Sequence, residues 1–162
     1  MIVIGYDGSD DAKAALRRAG ELFAGQQALV ITVWERFIDT MARVGSGVGV
    51  AFDYDEVDTA SEHSASENAK AGAELARAAG LEAEGQATVA ERGIADTLLA
   101  AAASADAGAV VIGTRGRGAV KSLLLGSVSQ HVVAHADRPV VVVPAPDVAR
   151  ERAEHRAPPR PA

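Results

Sequence analysis

Short apolar runs alternate along this chain with longer segments in which small and apolar residues recur at helical spacing. The runs are residues 1–6 (Met-Ile-Val-Ile-Gly-Tyr), 28–34, 109–112 and 139–144 (Pro-Val-Val-Val-Val-Pro). Apolarity that is continuous rather than alternating marks strands buried on both faces. Residues 82–89 alternate weakly and are the least marked strand. Between the runs, residues 12–24 place Ala15, Leu16, Ala19, Leu22 and Phe23 on one helical face. Residues 56–79, 93–103 and 127–135 read as further helices. Ser9 and Asp10 end a turn with helix-capping side chains, and Gly80 suits a helix C-terminus. Residues 35–54 read as irregular, with Gly45, Gly47 and Gly49 in a mobile loop.

Five strands separated by helices predict an α/β fold: one parallel, doubly wound sheet with helices on both faces. In such sheets ligands sit at the carboxyl ends of the strands, near the point where strand order reverses. Two turns leave strands at that end, one at Asp7 and one after Gly113. Residues 1–144 therefore read as one domain. Residues 145–162 carry Pro146, Pro158, Pro159 and Pro161 among charges, and read as a flexible tail, ordered only where it docks on something.

Composition adjusts this picture modestly. Hydrophobic residues make up 48% of the 162, which is enough for a sizeable core. A net charge of −6 argues against a general nucleic-acid binder but leaves room for one anionic ligand in a locally positive pocket. The absence of cysteine removes disulfides, thiolate nucleophiles and cysteine-based metal sites. No apolar run approaches the ~18 residues of a membrane span, and the N-terminus enters a strand without a basic leader. The expectation is a cytoplasmic protein without membrane or nucleic-acid partners.

The chemistry concentrates between Val110 and Ser127. A buried strand ends at Gly113, Gly116 follows, and Gly126-Ser127 opens a helix. Glycines let backbone approach an anion closely, and the unsatisfied N–H groups of a helix start bind phosphate. Arg115, Arg117 and Lys121 can offset phosphate charge. The plain alternative is a glycine-rich loop that only turns the chain. The segment is not a P-loop, and the first turn, Gly5-Tyr6-Asp7-Gly8, is not a dinucleotide fingerprint. Gly45-x-Gly47-x-Gly49 is a decoy away from any strand end. Asp7 begins a turn where aspartate is favoured for capping alone, and beside phosphates it would bind a sugar hydroxyl or act through Mg2+. His131 and His135 share a helix face but lack the glutamate of H-E-x-x-H. Ser127 lacks a nucleophile elbow.

The spacing G-x2-G-x9-G-[ST], from Gly113 to Ser127, resembles the ATP-binding signature of the universal stress protein family. The resemblance extends over residues 1–144, through the opening strand with Asp7-Gly8-Ser9, residues 124–130 and the closing residues 138–144. It implies a five-stranded parallel sheet of order 3-2-1-4-5, binding ATP with Mg2+ held mainly by phosphates. It further implies that Asp7 contacts the nucleotide, that the Val33 backbone meets the adenine, and that Gly113, Arg115 and Gly116 lie beside ribose and phosphates. Gly126, Ser127, Val128 and Ser129 would hold the phosphates, with Gly5 and Tyr6 as accessory positions. The closing strand, residues 139–144, is an apolar edge that pairing with its copy in a homodimer would cover, as is common in the family; the alternative is a tail or loop lying over that edge. The expected function is regulatory ATP binding with little or no turnover; the alternatives are a slow ATP hydrolase, or an interaction module for another nucleotide such as cyclic AMP.

Overall fold

The computed structural model describes residues 1–44, 54–116 and 125–154. Its elements are β1 (Ile2–Gly5), α1 (Asp10–Phe23), β2 (Gln27–Trp34), α2 (Phe37–Val44), α3 (Tyr54–Ala78), β3 (Glu82–Val89), α4 (Ile94–Ser104), β4 (Val110–Gly113), α5 (Ser127–His135), β5 (Val140–Val143) and α6 (Pro146–Glu154). The strands form one parallel sheet in the order β3-β2-β1-β4-β5, as expected. The weakly marked strand is present as β3, in full register with β2 from Gln27↔Glu82 to Trp34↔Val89.

Each strand sends alternate residues to opposite faces, and both faces are covered. Ile2, Ile4, Tyr6, Val30 and Val111 pack with Ala12, Ala15, Leu16 and Ala19 of α1 and Ala73 and Ala76 of α3. Val3, Ile31, Val110 and Ile112 pack with Ala95, Leu98 and Ala102 of α4 and Val132 of α5. Each fully buried valine or isoleucine contributes on the order of 1.5–3 kcal/mol. Both faces being dry explains why the strands read as unbroken apolar runs.

Helix α3 lies almost on the sheet because its inner face is Ala65, Ala69, Gly72, Ala73 and Ala76. A Cβ on Gly72 would come within 2.7 Å of the Tyr6 ring, and one on Gly85 of β3 would overlap the Ala69 carbonyl oxygen. These buried residues all lie from Ala65 onward. Its first half continues past the strand ends, since 25 residues span about 37 Å. Gly80, at φ +93°, closes the helix as the sequence predicts, with Leu81 N donating to Ala76 O. Ser9 caps α1, its hydroxyl accepting from Ala12 N at 3.2 Å.

Two segments differ from expectation. Residues 37–44, within the stretch read as irregular, form α2. Its start is satisfied from a distant element: Phe37 N donates to Asp58 Oδ1 of α3 at 2.7 Å, and the Phe37 and Tyr54 rings lie 5.8 Å apart. No local capping signal announces it. The tail begins as helix α6, with Ala145 and Val148 buried. Pro146 stands at its first position, where the missing N–H costs nothing and the fixed φ suits a helix. The glycines of 45–49, together with Arg117, Lys121 and Pro158, Pro159 and Pro161, lie outside the described residues. Among the described residues no helix is long and apolar enough to cross a membrane.

Gly85→Ala is expected to lower unfolding free energy by about 1–3 kcal/mol despite the better strand propensity of alanine, because the helix carbonyl cannot move aside. Urea denaturation measures it; an unchanged midpoint would show that α3 can lift from the sheet.

Candidate functional site

A cleft of about 1090 Å3 opens across the carboxyl ends of β2, β1 and β4. The residues that the family resemblance singled out line it: Gly5, Tyr6 and Asp7 at the end of β1, Val33 of β2, Gly113, Arg115 and Gly116 at the end of β4, and Gly126, Ser127, Val128 and Ser129 at the start of α5; Arg117 and Lys121 lie outside the described residues. The cleft sits at the reversal of strand order, where β2 lies to one side of β1 and β4 to the other.

Its β4 side is built to receive negative charge. The first bond of α5 runs from Gln130 N to Gly126 O. The N–H groups of Ser127, Val128 and Ser129 therefore have no acceptor within their own helix. Gly126 at the N-cap has no side chain to satisfy them, whereas the start of α1 is satisfied by Ser9. Gly126 N donates to Thr114 O at 2.8 Å, and the buried Ser129 hydroxyl donates to Gly113 O at 2.8 Å. Both bonds draw the helix start against the end of β4, so the helix dipole points into the cleft.

The glycines divide by role. A Cβ on Gly113 would lie 2.8 Å from the Asp11 backbone, so this glycine lets β4 pack under α1. A Cβ on Gly116 would lie 2.7 Å from Asp7 Oδ2, at the cleft surface. At Gly126 a Cβ would meet only ordinary contacts, 3.5 Å or longer, and φ is −74°. Neither packing nor backbone conformation demands glycine there.

The sequence profile of the Universal stress protein family matches residues 1–144. The chain belongs to the universal stress protein family. A universal stress protein of Thermus aquaticus is 36% identical over 144 residues, covering 88% of this chain and 96% of the relative. Among solved structures, the universal stress protein from Archaeoglobus fulgidus is 28% identical, with TM-score 0.63 and coverage of 88% and 96%. The same organism's universal stress protein in complex with dAMP is 26% identical, with TM-score 0.56 and coverage of 88% and 95%.

Within this universal stress protein fold, the two carboxylate oxygens of Asp7 face different groups. Its Oδ1 accepts from Ser9 N at 3.0 Å, the local turn that aspartate favours, while Oδ2 faces Gly116 across the cleft. The Tyr6 ring is buried in the core under Gly72, so it is mainly the backbone of this residue that is available at the cleft; its carbonyl accepts from the Thr32 hydroxyl at 2.8 Å. Among the described residues no group of three histidine, cysteine or carboxylate side chains could hold a metal. His131 instead meets Asp96 of α4 at 2.8 Å, and the His135 ring stacks on it at 4.1 Å.

Sequence reasoning missed Asp11. It is 6% exposed, and its Oδ2 accepts from the Thr114 hydroxyl and from Arg115 N at 3.1 Å, with Arg115 Nε at 3.6 Å. One buried carboxylate thus holds both residues that follow β4. The signal available was a second acidic residue in the first turn of α1, which reads equally well as a dipole-complementing surface charge. The far wall of the cleft was missed as well: Ser61 and Ser64 line it from the projecting part of α3, and Asn68 from where the helix meets the sheet.

Asp11→Ala leaves the Thr114 hydroxyl and the Arg115 guanidinium without this acceptor, and is expected to cost about 3 kcal/mol in urea unfolding. Asp11→Asn, which keeps an acceptor oxygen, should recover part of the loss. Equal, negligible effects would mean the three groups find other partners.

Proposed function

We propose that the cleft binds ATP as its Mg2+ complex, and that the protein is a nucleotide-binding regulator with little or no turnover. The uncapped start of α5, facing one cleft with Gly116, Asp7 and Val33, carries this reading. In it, the N–H groups of Ser127, Val128 and Ser129 bond phosphate oxygens, the Ser127 hydroxyl adds a further donor, and Gly116 admits the phosphates close to the backbone. Arg115 offsets their charge. The Val33 backbone meets the adenine, Asp7 takes a ribose hydroxyl or a water of the Mg2+ shell, and Gly5 and Tyr6 complete the floor. An Archaeoglobus relative bound to dAMP, also an adenine mononucleotide, supports the ligand class. Mg2+ is suited to such a site because it retains several waters and needs only one or two carboxylates besides phosphate. Little turnover is expected in this reading, since Asp7 is given to a ribose hydroxyl or the Mg2+ shell and the Ser129 hydroxyl proton is committed to Gly113 O.

Titration calorimetry with Mg·ATP is expected to show about one site per chain, with cyclic AMP competing weakly; no heat and no thermal shift would sink the proposal. Gly116→Val should abolish binding and keep the fold. Gly126→Ser is the sharper variant. Serine is at least as good an N-cap as glycine, so the melting temperature should hold or rise slightly, while its hydroxyl occupies the donors that phosphate needs. Affinity should fall at least about tenfold, since one hydrogen bond to a charged group is worth about 1.5–3 kcal/mol. Unchanged affinity would return Gly126 to a turn-forming role.

The proposal extends to assembly. Among the described residues β5 pairs with β4 alone, and its four valines are half-buried. An apolar edge of this kind is covered by pairing with its copy about a two-fold axis, giving a homodimer through residues 139–144. Sedimentation equilibrium should give twice the chain mass of 16.6 kDa; a monomer at micromolar concentration would refute it.

A further inference from the structure

We propose that Asn68 selects the base of the bound nucleotide, favouring adenine over guanine; the inference rests on the nucleotide reading of the cleft. With the phosphates at the start of α5, a nucleotide laid across the strand ends carries its base to the other end. There the cleft runs between Val33 and Trp34 of β2 and the face of α3 that carries Ser61, Ser64 and Asn68. Among the described lining residues the charged ones at that end are Glu35 and Glu56, both carboxylates, so a neutral ring with donor groups fits better than a second anionic group.

The polar side chains around this end of the cleft differ in how they are occupied, and Ser64 is exposed to solvent. Thr32 donates to Tyr6 O at 2.8 Å, and Ser61 donates to Val57 O at 2.9 Å within its own helix. Asn68 is half-buried, lines the cleft, and makes no hydrogen bond with another described residue. Its amide holds a donor and an acceptor side by side. Adenine presents the complementary pair, the N6 amino group beside N7, and the two join through two bonds. Guanine presents two acceptors, O6 and N7, on the same edge, so one half of the amide goes unmatched. The wall is also held in place. Gly72, one turn further along α3, sits against Tyr6 and Val30, so the helix position carrying Asn68 is set by the sheet itself.

Calorimetry with Mg·ATP and Mg·GTP on the full chain tests this, in the wild type and in Asn68→Leu and Asn68→Ala. Alanine is the strongest helix former, so the second variant keeps α3 intact. The wild type should prefer ATP by about tenfold or more, the worth of one bidentate pair. Both variants should lose about tenfold in ATP affinity, bringing the ATP-to-GTP ratio close to one. A wild type that binds ATP without discriminating, or variants that keep its ratio, would overturn the role of Asn68 and leave the nucleotide site standing. A wild type that binds neither nucleotide would overturn both.

Discussion

Parallel strands can pair only if the chain returns to the same end of the sheet before each new strand begins. Every strand here obeys that constraint, and the helices are the return paths. Its consequence is geometric: all βα turns gather along one edge. Asp7, Val33, Arg115 and Ser127 come from turns or strand ends far apart in the chain and still line one cleft. The helix starts arrive at that edge too, so the sheet delivers backbone donors and a dipole to the place where strand order reverses. The core has no separate purpose from the site. The valines and isoleucines that dry both faces hold the strand ends in register.

The balance of charge around the cleft says what kind of attraction operates. Among the described lining residues the charged side chains are Asp7, Glu35, Glu56 and Arg115, and Asp11 stands against Arg115 from behind. The charges of these described residues therefore do not draw an anion in. Directed N–H groups at one end of the cleft act over a short range, where a hydrogen bond to an ionised group is worth about 1.5–3 kcal/mol. That favours a ligand whose negative charge is confined to one end and met there by a cation. The carboxylate side favours the opposite, neutral and donor-rich end. The polarity of the cleft and the chemistry of an adenine nucleotide run in the same direction.

Small residues set the other dimension of the site. Alanine and glycine along α3 bring it onto β2 and β3, and the half of the helix beyond the sheet becomes the far wall of the cleft. In sequence these positions look like a generic alanine-rich helix. Their spacing announces a buried stripe, but not that a helix longer than its strands must overhang the edge where ligands bind. Helix α2 was hidden for a related reason. Its leading N–H finds an acceptor in Asp58, on a helix that follows it in the chain, while the glycines after it drew the whole stretch toward a loop reading. The proline at the head of α6 likewise reads as a breaker until it is seen at a position where proline is tolerated.

What the sequence determined by itself was local and periodic. Unbroken apolar runs separated by helical spacing specify buried parallel strands, and strand–glycine–helix order specifies backbone donors at a strand end. These need only φ/ψ preference, the 3.6-residue period and the burial of apolar surface. The tertiary structure alone decided the partnerships. It made Asp11 the anchor of Thr114 and Arg115, turned Gly113 into a packing glycine while leaving Gly126 sterically unconstrained, gave Asp58 to α2, and brought Asn68 to the cleft. Each of these joins groups from different elements. Such a contact depends on how two elements pack, and no local pattern encodes that distance.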